Sequence, residues 1–286
     1  MTYALFMEGT GQGVHERSNV SVLADACVQD GAQRVSLEVG PGARFGTIVT
    51  GTLFGFGALN ILERQYEWLA QRYRQEDGAK IFLFGFSRGA LVARALADLI
   101  CNCGIPSDAY DARRVLKWWR SRYCSEAIRG FQREKRLLPG HVDYLGAWDT
   151  VDSAVGIDGA RFRKLPDGVS RARHAVARDE RRSFFAYEPM EGKQAEEMVF
   201  PGCHSDVGGR YPDNHAVADV ALAWVAAPAV EMGLRLKPGV SFSEELPQEA
   251  VLHDSLHDAT NVWGCLPSPP RTLSDMPCHP SCGRFA

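Results

Sequence analysis

The sequence predicts an α/β fold with one mostly parallel β-sheet and helices on both of its faces. Short apolar runs typical of buried strands occur at Tyr3–Met7, Ile81–Phe84 and Val142–Trp148. Between them, apolar residues recur at helical spacing, most clearly from about Ala58 to Arg74. The third observation is a sharp strand–turn–helix pattern over Lys80–Ile100. Strands that alternate with helices favour parallel strands joined by crossover helices.

The remaining segments continue this alternation. Further strands are predicted at Ala32–Val39 and Glu197–Pro201, and Asp152–Gly168 reads as a loop. Helices are predicted at Asn19–Asp30, at Val115–Tyr123, at Ile128–Arg136 and at Ala216–Met232, the last of which Pro228 is expected to kink or shorten. No internal repeat or long linker interrupts the pattern. We therefore expect a single domain over residues 1–286 that becomes loop-rich from about residue 234.

Composition narrows the class of protein. The chain has 286 residues, of which 45% are hydrophobic and 23% charged, as in ordinary soluble globular proteins. A net charge of −3 argues against nucleic acid as a partner. The N-terminus lacks the pattern of a signal peptide, so we expect a cytoplasmic location in the producing cell, with any export independent of such a signal. Phe45–Leu62 is too rich in glycine for a membrane span and predicts a loop that leads into a helix.

The sequence contains eight cysteines, for which two interpretations are open. Free thiols are expected where no secretory signal is recognised. Cys265, Cys278, His279 and Cys282 cluster near the C-terminus and suggest zinc, but they lack a paired C-x-x-C. We therefore predict no metal site, and the role of these cysteines stays open.

Gly85-Phe86-Ser87-Arg88-Gly89 fits the G-x-S-x-G pattern of a nucleophile elbow. A serine at such a turn projects from the sheet edge, and the glycines leave room for neighbouring backbone. The following helix directs its free N–H groups and positive dipole end at an oxyanion formed there. The alternative is an ordinary crossover with an incidental serine.

Two other strand ends supply partners for this serine. A serine hydroxyl needs a base within hydrogen-bond reach, and the base needs an orienting acid. Asp149 closes one predicted strand and His204 follows another, so both should lie at the same sheet edge as Ser87. Taken alone, Asp149 is equally typical of a turn or helix cap, and His204 of an ordinary loop. His253 also satisfies the order Ser, Asp, His, although no clear strand precedes it.

The first predicted strand ends in a glycine-rich loop, Glu8 to Gly13. Ligands bind at this end of the strands in open α/β sheets, and such a loop offers backbone N–H groups to an anion. A flexible turn without that role is the alternative.

These blocks together resemble a known family. The chain is similar to the α/β-hydrolase family described as the catalytic domain of type VI secretion phospholipase effectors, long catalogued as a domain of unknown function. The matching blocks are GFSRGA (Gly85–Ala90), GAWDTV (Gly146–Val151), FPGCHSDVGGRY (Phe200–Tyr211), MEGTG (Met7–Gly11), LHDS (Leu252–Ser255) and HPS (His279–Ser281). The HSDVGG block is the most specific, because a generic hydrolase does not need it. One departure is Glu8, where the family usually has Asp.

The resemblance implies an α/β-hydrolase-like fold with Ser87 as nucleophile, Asp149 as orienting acid and His204 as general base. The oxyanion would be held by the N–H of Arg88 and one from Gly9, Thr10 or Gly11. The implied substrate is an acyl ester, a phospholipid in the best-studied members, and no cofactor is required. The implied partners are a transiently contacted membrane surface and a secretion-apparatus or immunity protein.

Two other functions fit the same residues. One is an esterase or thioesterase that acts on a soluble acyl substrate. The other is a catalytically inactive α/β-hydrolase fold used for binding. A fluorophosphonate probe separates an enzyme from a binding protein, and a panel of phospholipids and p-nitrophenyl esters separates the two enzymes.

Overall fold

The chain alternates between strands and helices, as the apolar pattern predicts. The computed structural model describes residues 1–9, 17–38, 57–74, 78–121, 129–130, 133–134, 137–152, 157–209, 211–257 and 266–285. The elements are β1 (Thr2–Met7), α1 (Asn19–Ala26), β2 (Gln33–Glu38), α2 (Ala58–Arg72), β3 (Lys80–Phe86), α3 (Arg88–Cys103), β4 (Ile105–Pro106), α4 (Ala109–Ser121), β5 (Leu137–Leu138), β6 (Val142–Trp148), β7 (Val169–Ala177), β8 (Ala195–Phe200), α5 (His204–Gly208) and α6 (Ala216–Glu231). Short 3₁₀ helices cover Gly159–Phe162 and Pro280–Phe285.

Six strands form the central sheet in the order β2-β1-β3-β6-β7-β8. Each neighbouring pair is parallel, which confirms the predicted sheet. The short strands β4 and β5 pair separately and antiparallel. Because all six strands run the same way, their carboxyl ends meet at one edge, where the predicted site residues lie.

Two hydrophobic cores cover the two faces of the sheet, and the side chains of β3 contribute alternately to each of them. Ile81 and Leu83 belong to one core, with apolar residues of α2, α3 and α4. Phe82 and Phe84 belong to the other, with residues of α1 and α6. Side chains alternate between the faces of a strand, so an uninterrupted apolar run is what a strand buried on both sides needs. The helices on both faces confirm the predicted α/β architecture.

Strand β7 was not predicted from the sequence. Its residues read VSRARHAVA, with Arg171 and Arg173 where a buried strand would carry apolar side chains. Arg173 lies over the Trp224 ring at 4.5 Å, donates to the Trp224 carbonyl at 2.7 Å and pairs with Glu196 at 2.9 Å. Contacts with residues that are distant in the sequence therefore offset the cost of placing this charged group in a central sheet. The local sequence pattern does not show these contacts.

Several boundaries differ from the predicted ones. Helix α4 begins at Ala109, well before the predicted Val115, and α6 continues through Pro228 to Glu231. Most of the predicted helix Ile128–Arg136 and of the Phe45–Leu62 segment lies outside the described residues. Among the residues that are described, no helix is long and apolar enough to cross a membrane.

Cys278 and Cys282 form a disulfide, so the expectation of free thiols is wrong for this pair. Cys27, Cys101, Cys103 and Cys203 are present as thiols and not as disulfides. Cys265 lies outside the described part of the chain, within which no cluster of three or more candidate metal ligands is found. The His279 ring, between the two bridged cysteines, stacks on Phe200 at 4.8 Å.

Candidate active site

Ser87 occupies a strained turn between β3 and α3. Its backbone angles are φ 59° and ψ −128°, a combination that costs a non-glycine residue free energy and persists only when the surroundings enforce it. A Cβ atom at Gly85 would overlap the backbone of Gly89 and Ala90, and one at Gly89 would overlap the carbonyls of Met7 and Glu8. Helix α3 therefore packs directly against β1 and β3, and only glycine fits at these two positions.

Asp149 lies beside Ser87 because β3 and β6 are neighbours in register. Phe86 is paired with Trp148, and the Ser87 N–H donates to the Trp148 carbonyl at 2.9 Å. Asp149 is fully buried and also has a positive φ, 37°. Ser87 and Asp149 are the only described non-glycine residues with positive φ, so the backbone strain within that part of the chain is confined to the two strand ends.

His204 completes the group as the first residue of α5, just beyond β8. Its Nδ1 lies 2.6 Å from Oδ2 of Asp149, so the predicted contact between these residues is present. Its ring centroid is 4.5 Å from that of Phe86 and 4.9 Å from that of Phe185. Burial lowers the pKa of His204, and this outweighs the opposite effect of Asp149. The imidazole is therefore held neutral beside the elbow.

The HSDVGG block sets the position of His204. The Asp206 carboxylate accepts the Cys203 N–H at 2.9 Å, which caps α5, and the Glu180 carboxylate accepts the His204 N–H at 3.2 Å. A Cβ at Gly208 would overlap the Phe86 ring, so α5 packs closely on the residue before Ser87. The block is thus a short capped helix fitted to the elbow.

The Asp149 carboxylate is held from several sides. Oδ1 accepts the Ala177 N–H at 2.9 Å and Nη1 of Arg271 at 2.7 Å, while Arg271 Nη2 lies 3.2 Å from Oδ2. Burial by itself would raise the pKa of Asp149. The Arg271 charge and the hydrogen bonds from His204 and Arg271 outweigh it, so the pKa lies below the usual range and the group stays ionised.

His253, the alternative base, is engaged with other carboxylates. Its Nδ1 lies 2.6 Å from Asp206 and its Nε2 3.2 Å from Asp213, and its ring stacks on Tyr211 at 3.6 Å. Partial burial lowers the pKa of His253, but the two carboxylates raise it above the ordinary value. His253 thus supports the loop and the cap of α5, and it does not contact Asp149 within the described contacts.

The predicted oxyanion residues are described only in part. Arg88 begins α3, and Gly9 is so close to the elbow that a Cβ there would lie 3.3 Å from the Ser87 Cβ. Thr10 and Gly11 lie outside the described residues. The Glu8 carboxylate accepts the Ser18 hydroxyl at 2.7 and 2.8 Å, and Ser18 caps α1, so the longer side chain still anchors the end of this loop.

Sequence reasoning missed three residues that support this site. Arg271 lies in the loop-rich C-terminal segment, where no pattern distinguishes it. Glu180 is buried and pairs with Arg182 at 2.9 Å. His174 is fully buried in β7, and its Nε2 accepts the Thr150 N–H next to Asp149 at 2.9 Å. His174 would have been noticed as a polar residue inside a strand if β7 had been predicted.

Most of the chain also matches the model of a known protein family. Residues 2–228 match the family model described as "T6SS, Phospholipase effector Tle1-like, catalytic domain". The chain belongs to this family. The Tle1-like match includes Ser87, Asp149 and His204, and it ends before the segment that carries Arg271.

Individual relatives of this Tle1-like domain are more distant. The uncharacterized protein YEL023C of Saccharomyces cerevisiae (strain ATCC 204508 / S288c) is 30% identical over 163 residues, 49% of this chain and 23% of its own length. A solved structure of an uncharacterized protein from Pseudomonas aeruginosa is similar with a TM-score of 0.51 and 19% identity, over 83% of this chain and 47% of the other. The Tle1 effector bound to the VgrG spike of the type 6 secretion system has a TM-score of 0.44, with 20% identity over 73% of this chain and 51% of its own. The chain thus spans about a quarter to a half of these relatives.

Proposed function

We propose that this Tle1-like domain is a serine hydrolase that cleaves acyl esters, with phospholipids as the substrate class. Ser87 is the nucleophile, His204 the general base and Asp149 the acid that orients it. The observation that carries the proposal is the buried hydrogen bond of 2.6 Å between His204 Nδ1 and Asp149 Oδ2 at the edge where Ser87 ends its strand. This bond leaves the proton on Nδ1 and makes Nε2 the basic nitrogen, as a general base requires.

The reaction begins when the Ser87 oxygen attacks the ester carbonyl carbon and its proton passes to His204 Nε2. The tetrahedral intermediate then collapses, the ester C–O bond breaks, and His204 returns the proton to the leaving alcohol. Water, activated by the same nitrogen, attacks the acyl-serine and releases the fatty acid and the serine hydroxyl. Asp149 stays ionised throughout and stabilises the imidazolium that forms twice in the cycle.

Backbone N–H groups are proposed to bind the negative oxygen of the intermediate. The Arg88 N–H lies at the first turn of α3, directly after Ser87, where the positive end of the helix dipole favours a negative oxygen. A second donor would come from the loop of Gly9, Thr10 and Gly11, of which Gly9 adjoins Ser87. Removing one such donor typically lowers turnover about 10²- to 10³-fold.

The substrate class and the partners rest on the family. We infer a phospholipid substrate from the phospholipase effectors that define it, and transient contact with a membrane surface follows from such a substrate. A secretion-apparatus partner is proposed by analogy with the Tle1 effector bound to a VgrG spike, and export without a signal peptide goes with it. An immunity protein is the remaining proposed partner.

Replacing the proposed nucleophile tests the function. We expect Ser87→Ala to lower hydrolysis of phospholipid vesicles and p-nitrophenyl esters by about 10³-fold or more. Labelling by a fluorophosphonate should disappear, while the melting temperature stays close to that of the wild type. Ser170→Ala is the matched control, because Ser170 is at the amino end of β7 and contacts only His141 among the described hydrogen bonds.

The outcomes separate the candidate functions. Activity of Ser87→Ala within about tenfold of the wild type would exclude Ser87 as nucleophile. Hydrolysis of soluble esters without hydrolysis of vesicles would indicate the esterase or thioesterase. A wild-type chain that neither reacts with the probe nor hydrolyses any ester would indicate the binding protein.

A further inference from the structure

The Arg271 side chain reaches from the C-terminal segment to the acid of the proposed triad. Both of its terminal nitrogens contact Asp149, at 2.7 Å to Oδ1 and 3.2 Å to Oδ2. The same nitrogens donate to the carbonyls of Ala177 at 2.8 Å and Phe185 at 2.7 Å. The side chain is only 7% exposed. Such a buried and fully engaged guanidinium is a built part of the site.

We propose that Arg271 is a positioning residue that fixes the Asp149 carboxylate and keeps His204 neutral at physiological pH. The proposal rests on the proposed function, because it assigns Arg271 a part in that reaction. It also assigns a functional part to the C-terminal segment, which lies beyond residues 2–228 that define the family match.

The geometry divides the two carboxylate oxygens between partners. Oδ1 receives the Ala177 N–H and the shorter Arg271 contact, which leaves Oδ2 directed at His204 Nδ1. A guanidinium that contacts both carboxylate oxygens fixes the orientation of the carboxylate plane. A single hydrogen bond leaves that plane free to rotate. The imidazole ring is therefore oriented through a carboxylate that is itself fixed at both oxygens.

Several charged groups surround His204, and Arg271 acts on the imidazole through the Asp149 carboxylate that both side chains contact. Glu180 and Arg182, from the loop after β7, both face His204, and they neutralise one another in a buried pair at 2.9 Å. Asp149, from the end of β6, favours the imidazolium, and Asp206 is the acidic residue of α5 itself. Arg271 offsets the Asp149 charge. Without Arg271, the negative charge of Asp149 would favour the protonated form of His204 more strongly. Protonated His204 cannot accept the serine proton.

The test is the pH dependence of kcat/KM for a soluble ester in three variants. Arg271→Gln and Arg271→Met remove the charge, so the acid limb should move up by on the order of one pH unit. At pH values below the wild-type acid limb the rate should fall by up to about tenfold, and it should recover above the shifted limb. Arg271→Lys keeps the positive charge, so its acid limb should stay near that of the wild type. Lysine cannot contact both Asp149 oxygens as the guanidinium does, so kcat should fall. Ser268 lies in the same C-terminal segment as Arg271, and its hydroxyl donates only to the Arg181 carbonyl among the described contacts. Ser268→Ala should therefore change neither the acid limb nor kcat.

A second readout does not depend on turnover. NMR titration of the His204 imidazole, assigned by loss of its signal in His204→Gln, should show a higher pKa in Arg271→Gln and an unchanged one in Arg271→Lys. This measurement decides the role of Arg271 even if the wild type hydrolyses no ester. Arg271→Gln keeps donors for Asp149 and Ala177, so it carries the test if Arg271→Met fails to fold.

An unshifted His204 pKa in Arg271→Gln would overturn the proposal, as would an equal shift in Arg271→Lys. If Ser87→Ala abolishes hydrolysis while the Arg271 variants leave the pH profile unchanged, the proposed function stands and only the role of Arg271 is wrong.

Discussion

Two buried histidines in this molecule are each paired with a carboxylate, and they differ in where they lie relative to the strand ends. His204 lies 2.6 Å from Asp149, and His174 lies 2.7 Å from Glu197. Both are fully or almost fully buried, and burial lowers the pKa of both. His174 sits inside β7, and its Nε2 is occupied by the Thr150 N–H. His204 sits beyond the strand ends, against the elbow that carries Ser87.

A buried Asp/Glu–His pair occurs at two places in the described structure, so the pair alone does not identify the proposed catalytic site. What distinguishes the His204 pair is its place at the carboxyl edge of the sheet, where a substrate can approach. The His174 pair joins β7, β8 and the turn after β6, and Arg94 lies 3.4 Å from its Nδ1. We therefore assign it to holding the turn that presents Asp149.

The largest expected difference between the two pairs is in turnover. His204→Ala should lower kcat for ester hydrolysis by about 10³- to 10⁴-fold. His174→Ala should keep activity within about tenfold but lower the free energy of unfolding by about 2–4 kcal/mol, because Glu197 and the Thr150 N–H lose a buried partner. Steady-state kinetics and urea unfolding measure both. Equal losses of turnover in the two variants would mean that the pairs are not functionally distinct.

A smaller effect is expected from the third engaged histidine, His253. Because it is bound by Asp206 and Asp213, its replacement should act only through the cap of α5. We expect His253→Gln to retain turnover within about tenfold of the wild type. A loss as large as that of His204→Ala would instead make His253 the base, and the comparison would then have been drawn between the wrong histidines.

The smallest expected effect is on the pH dependence of stability. His174 and His204 have lowered folded-state pKa values, so below the unfolded-state pKa of about 6.5 the unfolded chain binds protons that the folded chain excludes. Their stabilising contribution is present above that pH and falls as pH falls, by up to about 1.4 kcal/mol per pH unit for each histidine. His174→Ala lacks one of these contributions, so its unfolding free energy should fall less steeply than that of the wild type between pH 6.5 and 5.

Both proteins contain His253, so its effect cancels when the unfolding free energy of His174→Ala is subtracted from that of the wild type. Its raised pKa acts with the opposite sign, since its contribution is present at low pH and lost as pH rises through the folded value. Urea unfolding at pH 8, 6.5 and 5 gives the two slopes. Parallel slopes would show that His174 takes up its proton at the same pH in the folded and the unfolded chain, so that burial does not lower its pKa.

The parts of the fold and site that the sequence predicts are those set by local chain geometry. Apolar runs located β1, β3, β6 and β8, and parallel strands bring their carboxyl ends together, which placed Ser87, Asp149 and His204 at one edge. The glycines at 85 and 89 have a local reason as well, because a strand-to-helix turn of this tightness excludes a Cβ. In each case the signal and its structural cause lie within a few residues of one another.

The parts that could not be predicted depend on contacts between distant segments. Arg173 is accommodated in β7 by Trp224, and Glu180 is buried by Arg182 and by Ser255, which donates to it at 3.1 Å. Arg271 reaches Asp149 across 122 positions in the sequence. Which loop returns to the sheet edge is decided by packing, and a single sequence carries no periodic signal of it.

The contact between Arg271 and Asp149 also orders events during synthesis. The ribosome completes the elbow, the acid and the base before it reaches Arg271, so a nascent chain carries the proposed triad with its carboxylate still lacking the counter-cation. A fragment cut at residue 228, where the family match ends, would stay in that condition permanently. The site is therefore assembled in two steps, because the segment that carries Arg271 can contact Asp149 only after the part of the chain that carries the proposed triad has been made.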